Sequence, residues 1–130
     1  VHTTEYTLTD PVLGVEIEAA GNRNFTNFVR SLPQWRATAY ADWSLGPWSA
    51  RATLRHISAY NDDENGGAAV DAWTALDLQA RWERDQLALT LGALNATDEA
   101  APFVNTPLGY DTKVHDARGR VLYARLSVSR

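Results

Sequence analysis

The dominant pattern along this chain is a period of two, repeated in segments of about ten residues. In Gln34 to Leu45 the odd positions read Trp35, Ala37, Ala39, Ala41, Trp43 and Leu45, while the even positions read Gln34, Arg36, Thr38, Tyr40, Asp42 and Ser44. Successive side chains of a strand point to opposite faces of its sheet, so this segment predicts a strand with one apolar and one polar face. Trp48 to Ser58 repeats it, with Trp48, Ala50, Ala52 and Leu54 opposed by Ser49, Arg51, Thr53 and Arg55. In Ala72 to Glu83 the apolar set is Leu76, Leu78, Ala80 and Trp82, against Asp77, Gln79, Arg81 and Glu83. Leu87, Leu89, Leu91 and Ala93 form the next apolar row. Leu122, Ala124, Leu126 and Val128, opposed by Tyr123, Arg125, Ser127 and Ser129, form the last. A weaker strand is expected from His2 to Leu8.

The connections alternate too. Short turns fall at Gly46-Pro47 and around Asp85-Gln86; long polar links run from Thr9 to Pro33, Ala59 to Asp71 and Ala96 to Gly119. Short loops at one end and long loops at the other are the layout of an up-and-down antiparallel barrel of the outer-membrane type. The fold class expected is therefore all-β, with antiparallel up-and-down strands.

An apolar face opposite a charged one fits either a protein core facing water or a lipid face backed by a wet lumen. Aromatic placement favours lipid. Trp35 and Trp43 share the apolar face eight positions apart, roughly 26 Å along a strand. A tilt of about 40° brings that to roughly 20 Å across the membrane, near the height of the apolar band. Trp35, Trp43, Trp48 and Trp82 are thus expected at the two membrane interfaces, where amphipathic rings are favoured. The Ala residues between them suit lipid, which fills gaps that a dry core would need large side chains to fill. The opposite face would carry Arg36, Asp42, Arg51, Arg55, Asp77, Arg81 and Arg125, with Glu83, as lumen-facing charges that pair with one another or with an inserted partner.

Composition narrows the function classes. The chain has 130 residues and a net charge of -4, without the Lys/Arg clustering that nucleic acid requires, so no nucleic-acid partner is expected. Cysteine is absent, which removes disulfides and thiolate metal sites. No run is long and apolar enough for a spanning helix, which leaves a β-barrel open because its strands are short and only half apolar. Methionine is absent and the first residue is Val1, so the chain is expected to be part of something longer.

Several stretches resemble the late barrel of TonB-dependent receptors. They are Ser31-Leu32-Pro33-Gln34-Trp35-Arg36, followed by Trp43 and Gly46-Pro47-Trp48-Ser49-Ala50; Val70-Asp71-Ala72-Trp73-Thr74-Ala75-Leu76-Asp77-Leu78-Gln79; Leu91-Gly92-Ala93-Leu94-Asn95-Ala96-Thr97-Asp98-Glu99; Pro107-Leu108-Gly109-Tyr110-Asp111; and His115-Asp116-Ala117-Arg118-Gly119-Arg120. The resemblance implies the C-terminal part, about six strands, of a 22-stranded transmembrane barrel with a plugged lumen. Residues 1–130 would then be barrel alone, with the plug and the earlier strands absent. It also implies a bacterial outer-membrane location, outer-membrane lipid around the barrel, TonB engaged through the missing N-terminal part, and a scarce small-molecule cargo such as a ferric siderophore. The family usually closes on an aromatic residue, whereas this chain ends in Arg130.

No catalytic constellation emerges, and neither enzyme activity nor a cofactor is expected. The acidic run Asp62-Asp63-Glu64 lacks the alternating spacing of a Ca²⁺ loop and is expected as a solvated loop tip. His56 is expected at an interface, and His115 as an anchor between loop and strand. Ligand contacts are expected in the long links, at Tyr60, Asn61, Phe103, Asn105, Tyr110 and Asp111, because binding residues concentrate in loops. The competing readings are a soluble β-sandwich that binds carbohydrate or another ligand, with the apolar faces as its core, and a remnant gene product without function.

Overall fold

The computed structural model describes all residues except 1, 4, 6, 10–15, 25, 26, 28–32 and 130. Ser31-Leu32 of the first motif, most of the link from Thr9 to Pro33, and the terminal Arg130 therefore lie outside the described residues.

Among the described residues, eleven strands alternate with turns and links. They are β1 His2–Thr3, β2 Thr7–Thr9, β3 Glu16–Glu18, β4 Asn22–Arg23, β5 Trp35–Leu45, β6 Trp48–Ile57, β7 Tyr60–Asp62, β8 Ala68–Val70, β9 Trp73–Arg84, β10 Leu87–Leu94 and β11 Val121–Val128, with one 3₁₀ turn at Asp63–Asn65. The main sheet has six strands in the order β1-β5-β6-β9-β10-β11. The single weak strand expected from His2 to Leu8 is instead two short pieces, and β2 pairs with β3 in a sheet of its own.

By internal contacts the chain forms two compact units, residues 1–37, 56–73 and 101–117 in one, residues 38–55, 74–100 and 118–130 in the other. In the second unit, β10 pairs antiparallel with β9 and β11 in unbroken register. That register aligns Trp82, Leu89 and Leu126 in one apolar row, and Ala80, Leu91 and Ala124 in the next. Trp43, Trp48, Leu54, Leu78, Leu91, Leu122, Leu126 and Val128 are all exposed. The alternation thus produces a continuous apolar face that no described residue covers, the arrangement expected when lipid is the neighbour.

The same register aligns the polar face. Gln79, Gly92 and Tyr123 lie side by side, and the Tyr123 hydroxyl crosses Gly92 to hydrogen-bond Gln79 Oε1 at 3.0 Å. A Cβ on residue 92 would collide with the Tyr123 ring. Glycine inside a strand ordinarily weakens it, and here the ring of the neighbouring strand fills the space the missing side chain leaves.

Both two-residue turns follow from local chemistry. Gly46 sits at φ 56 and Pro47 is held at negative φ by its ring, the sign pattern of a type II′ hairpin. Asp85 takes the corresponding positive position at φ 53, which an Asp side chain tolerates better than most. Beyond β11, the Ser129 N–H donates to Gln86 O at 2.9 Å and prolongs the ladder to the turn.

The segment opening Asn95-Ala96-Thr97-Asp98-Glu99 is built around one buried amide. Asn95 Oδ1 accepts the Glu99 N–H, its Nδ2 donates to Glu99 O, both at 2.9 Å, and its own N–H donates to Asp77 Oδ1 at 2.8 Å. Asn95 and Asp98 hold positive φ, 48 and 58. Asp98 Oδ1 then accepts the Arg120 N–H at 2.7 Å, fixing the start of β11. The motif read from the sequence is therefore a side-chain-capped turn between strands.

In the first unit the link from Ala59 to Asp71, expected as polar loop, folds into the β7–β8 hairpin around the 3₁₀ turn. Its positions 66 and 67 are glycines at φ 79 and 76. β4 joins β7 in parallel, Asn22 opposite Asn61 and Arg23 opposite Asp62.

Candidate functional site

Three arginine–carboxylate pairs bind charged side chains of the second unit to one another. Arg51 donates twice to Asp42, at 2.6 and 2.9 Å, with its guanidinium 5.3 Å over the Tyr40 ring. Arg55 makes a two-pronged contact with Asp77 at 2.8 and 3.0 Å, and the same carboxylate caps the Asn95 N–H. Arg81 holds Glu83 at 2.8 Å. Arg125 is exposed on this face, and Arg36 lies in the first unit. The planar fork of arginine matches a carboxylate, and such pairs fix side chains across a wet sheet face.

Of the four tryptophans expected at the interfaces, Trp43 and Trp48 are exposed and Trp82 half-exposed. Trp48 and Trp82 meet with ring centres 6.5 Å apart at the turn end of their strands. At the opposite end of β5 and β6, Trp35 stacks on His56 at 4.4 Å.

The first unit gathers the candidate ligand residues, in two different settings. Tyr60 and Asp111 are buried, at 3% and 7% exposure. The Tyr60 hydroxyl donates to Asp111 Oδ2 at 3.5 Å, and Asp111 Oδ1 accepts the Lys113 N–H at 2.9 Å. These two belong to the packed interior of the links, together with Val70, Trp73, Val104, Val114 and His115. Burial, and then the negative charge of Asp111, push the Tyr60 hydroxyl well above the ordinary phenol range. Burial likewise holds His115 below the ordinary imidazole value, with Asp111 opposing and Arg36 adding to the shift. His115 thus takes the anchoring position expected of it.

Phe103, Asn105 and Asn61 are exposed, and Tyr110 is half-buried. Asn105 exchanges amide hydrogen bonds with Asn65, tying the last long link to the β7–β8 hairpin. Asn61 Nδ2 donates to Asn22 Oδ1 at 3.3 Å. Tyr110, Thr106, Leu108, Lys113 and Arg23 line an open concavity of about 280 Å³.

The acidic run departs from its expected form. Asp62 is 1% exposed and its carboxylate is fully engaged by Arg23 at 2.9 Å and by the Asn65 amide at 2.6 Å. Glu64 takes the second arm of Arg23 at 2.8 Å. Only Asp63 and Glu64 are solvated, because β7 turns Asp62 to the same inward face as Tyr60, two residues before it. Arg23, Trp73, Thr106 and Lys113 were not legible as site residues. The one signal for Arg23 was that it is the first Arg or Lys of the chain, with an acidic run needing a partner. Among the described residues no group of His, Cys, Asp and Glu would hold a metal ion, and no helix is long and apolar enough to cross a membrane.

An antiparallel sheet with an uncovered apolar face, an ion-paired polar face and aromatic residues at both strand ends defines a strand-spanning membrane protein. The family comparison agrees: the profile described as TonB dependent receptor-like, beta-barrel matches residues 2–96. The chain belongs to that family of outer-membrane receptors. Neither the curated proteins nor the solved structures contain a match.

Proposed function

We propose that the chain supplies the closing strands and part of the outer mouth of an active-uptake receptor, energised through TonB, for a scarce nutrient such as a ferric siderophore. The plug and the remaining strands of the barrel belong to the same receptor in this reading. The observation that carries it is the uncovered apolar face on a segment matched by the receptor-barrel family. The chain makes and breaks no bonds; its work is to seal the barrel and present long links to the medium. Cargo contact falls to exposed or half-exposed residues of those links, Phe103, Asn105 and Tyr110, with Lys113 beside them. Tyr60 and Asp111 hold the links in shape from inside.

Uptake tests this directly. Deleting the gene is expected to abolish accumulation of one labelled cargo among ferric siderophores, cobalamin and oligosaccharides, and loss of TonB is expected to abolish it equally. Unchanged accumulation of every cargo, or uptake that survives without TonB, overturns the reading.

A further inference from the structure

We propose that the link formed by residues 101–117 is an acid-released latch, docked through neutral His115 and freed when that ring is protonated. His115 is 5% exposed. Its ring lies nearly parallel to Tyr60 at 6.0 Å and edge-on to Trp73 at 6.2 Å. Neither ring nitrogen has a hydrogen-bond partner among the described residues. A neutral imidazole in that position leaves one N–H and one lone pair unsatisfied. An imidazolium would leave two N–H donors and a full charge, which costs far more away from water.

The groups around the ring do not compensate. On its own link the charged residues nearby are Asp111, Lys113 and Asp116; Asp111, which favours the charged ring, already accepts from Tyr60 and from the Lys113 N–H. From β5, Arg36 acts on it with the same sign as the proton it would gain. From β7 it meets Tyr60, a neutral phenol, with Arg23 and Asp62 paired behind it. From β9 it meets the uncharged Trp73. The latch is short: the Asp111 carbonyl accepts from Val114 and His115 at 3.2 and 2.9 Å, so the ring is carried on a single tight turn. Moving that turn withdraws Val114 as well, while Asn105 stays tethered to Asn65.

The sign follows from linkage. The docked ring has a lower pKa than the released one, so the docked state binds fewer protons. Docking is complete above about 6.5, the ordinary imidazole value, and is lost as pH falls from there towards the docked value. The inference does not depend on the cargo, because link mobility is read without uptake.

The test uses the full-length receptor in detergent micelles with a nitroxide on Leu108→Cys, in a background without other cysteines. Leu108 is 68% exposed, so the label reports the link without filling its core. Between pH 8 and 5 the mobile-to-docked ratio is expected to rise by up to about tenfold per pH unit once below 6.5. His115→Gln is expected to flatten the profile. Asp111→Asn keeps one acceptor oxygen but removes the countercharge that favours the docked imidazolium, and is expected to move the release midpoint to higher pH. A pH-independent label in the native sequence, or an undiminished rise in His115→Gln, overturns the proposal. Should His115→Gln not fold, an unmoved midpoint in Asp111→Asn overturns it instead.

Discussion

Asp77 and Gly92 carry more of the sheet than their size implies. Asp77 accepts from Arg55 twice and from the Asn95 N–H once, so it joins β6, β9 and the turn after β10. Asp77→Ala strands those donors, at a cost of about 1–3 kcal/mol. Urea unfolding of the receptor in detergent is expected to show that loss, with Asp77→Asn intermediate because an acceptor remains. Gly92→Ala is expected to destabilise by about 1–3 kcal/mol, because the new methyl group meets the Tyr123 ring. Adding Tyr123→Ser should recover most of the loss, and equal losses in the single and double variants would refute the packing account. The sequence displayed the alternation at these positions, but not that Tyr123 crosses one strand to reach Gln79. A period of two assigns a face; it does not say which side chain lies down over its neighbour. The same limit hid Trp73 and Ile57, which sit on the polar phase of their strands and are nevertheless buried.

The long strands were legible almost residue by residue, because an apolar face that must be continuous tolerates no slip in register. β5, β6, β9, β10 and β11 run where the alternation placed them, to within two residues at each end. The short strands were not. β7 and β8 have three residues each, too few for a period to stand out, and they are held by Arg23 and Asp62 rather than by apolar patterning. Substitution on the two faces separates their roles. Leu91→Arg, in the middle of the apolar face, is expected to cost about 2–4 kcal/mol in bilayer stability. Ser127→Arg, on the polar face of β11, is expected to stay within about 0.5 kcal/mol of the native value. Equilibrium unfolding in lipid vesicles measures both, and equal penalties would contradict the assignment of faces.

For the molecule as a whole, the candidate site was less legible than the sheet. The links were recognised as the place for contacts, but Tyr60 and Asp111 proved to be interior residues, because a loop of this length packs a small core of its own. What the aromatic and acidic residues of the links do depends on distant partners: Tyr60 on Asp111, Asp62 on Arg23, His115 on Trp73. No local spacing encodes those pairings.

The central claim is that one face of the sheet meets lipid and the other water. It is tested most directly by single nitroxides placed one at a time from Leu87 to Leu94 in the receptor held in native membranes. Collision rates are then read with oxygen, which partitions into lipid, and with a water-soluble nickel chelate. The account predicts a strict alternation, with positions 87, 89, 91 and 93 reached by oxygen and shielded from nickel, and 88, 90 and 92 shielded from lipid. Equal nickel access at odd and even positions, or burial from both reagents at the odd ones, would contradict it.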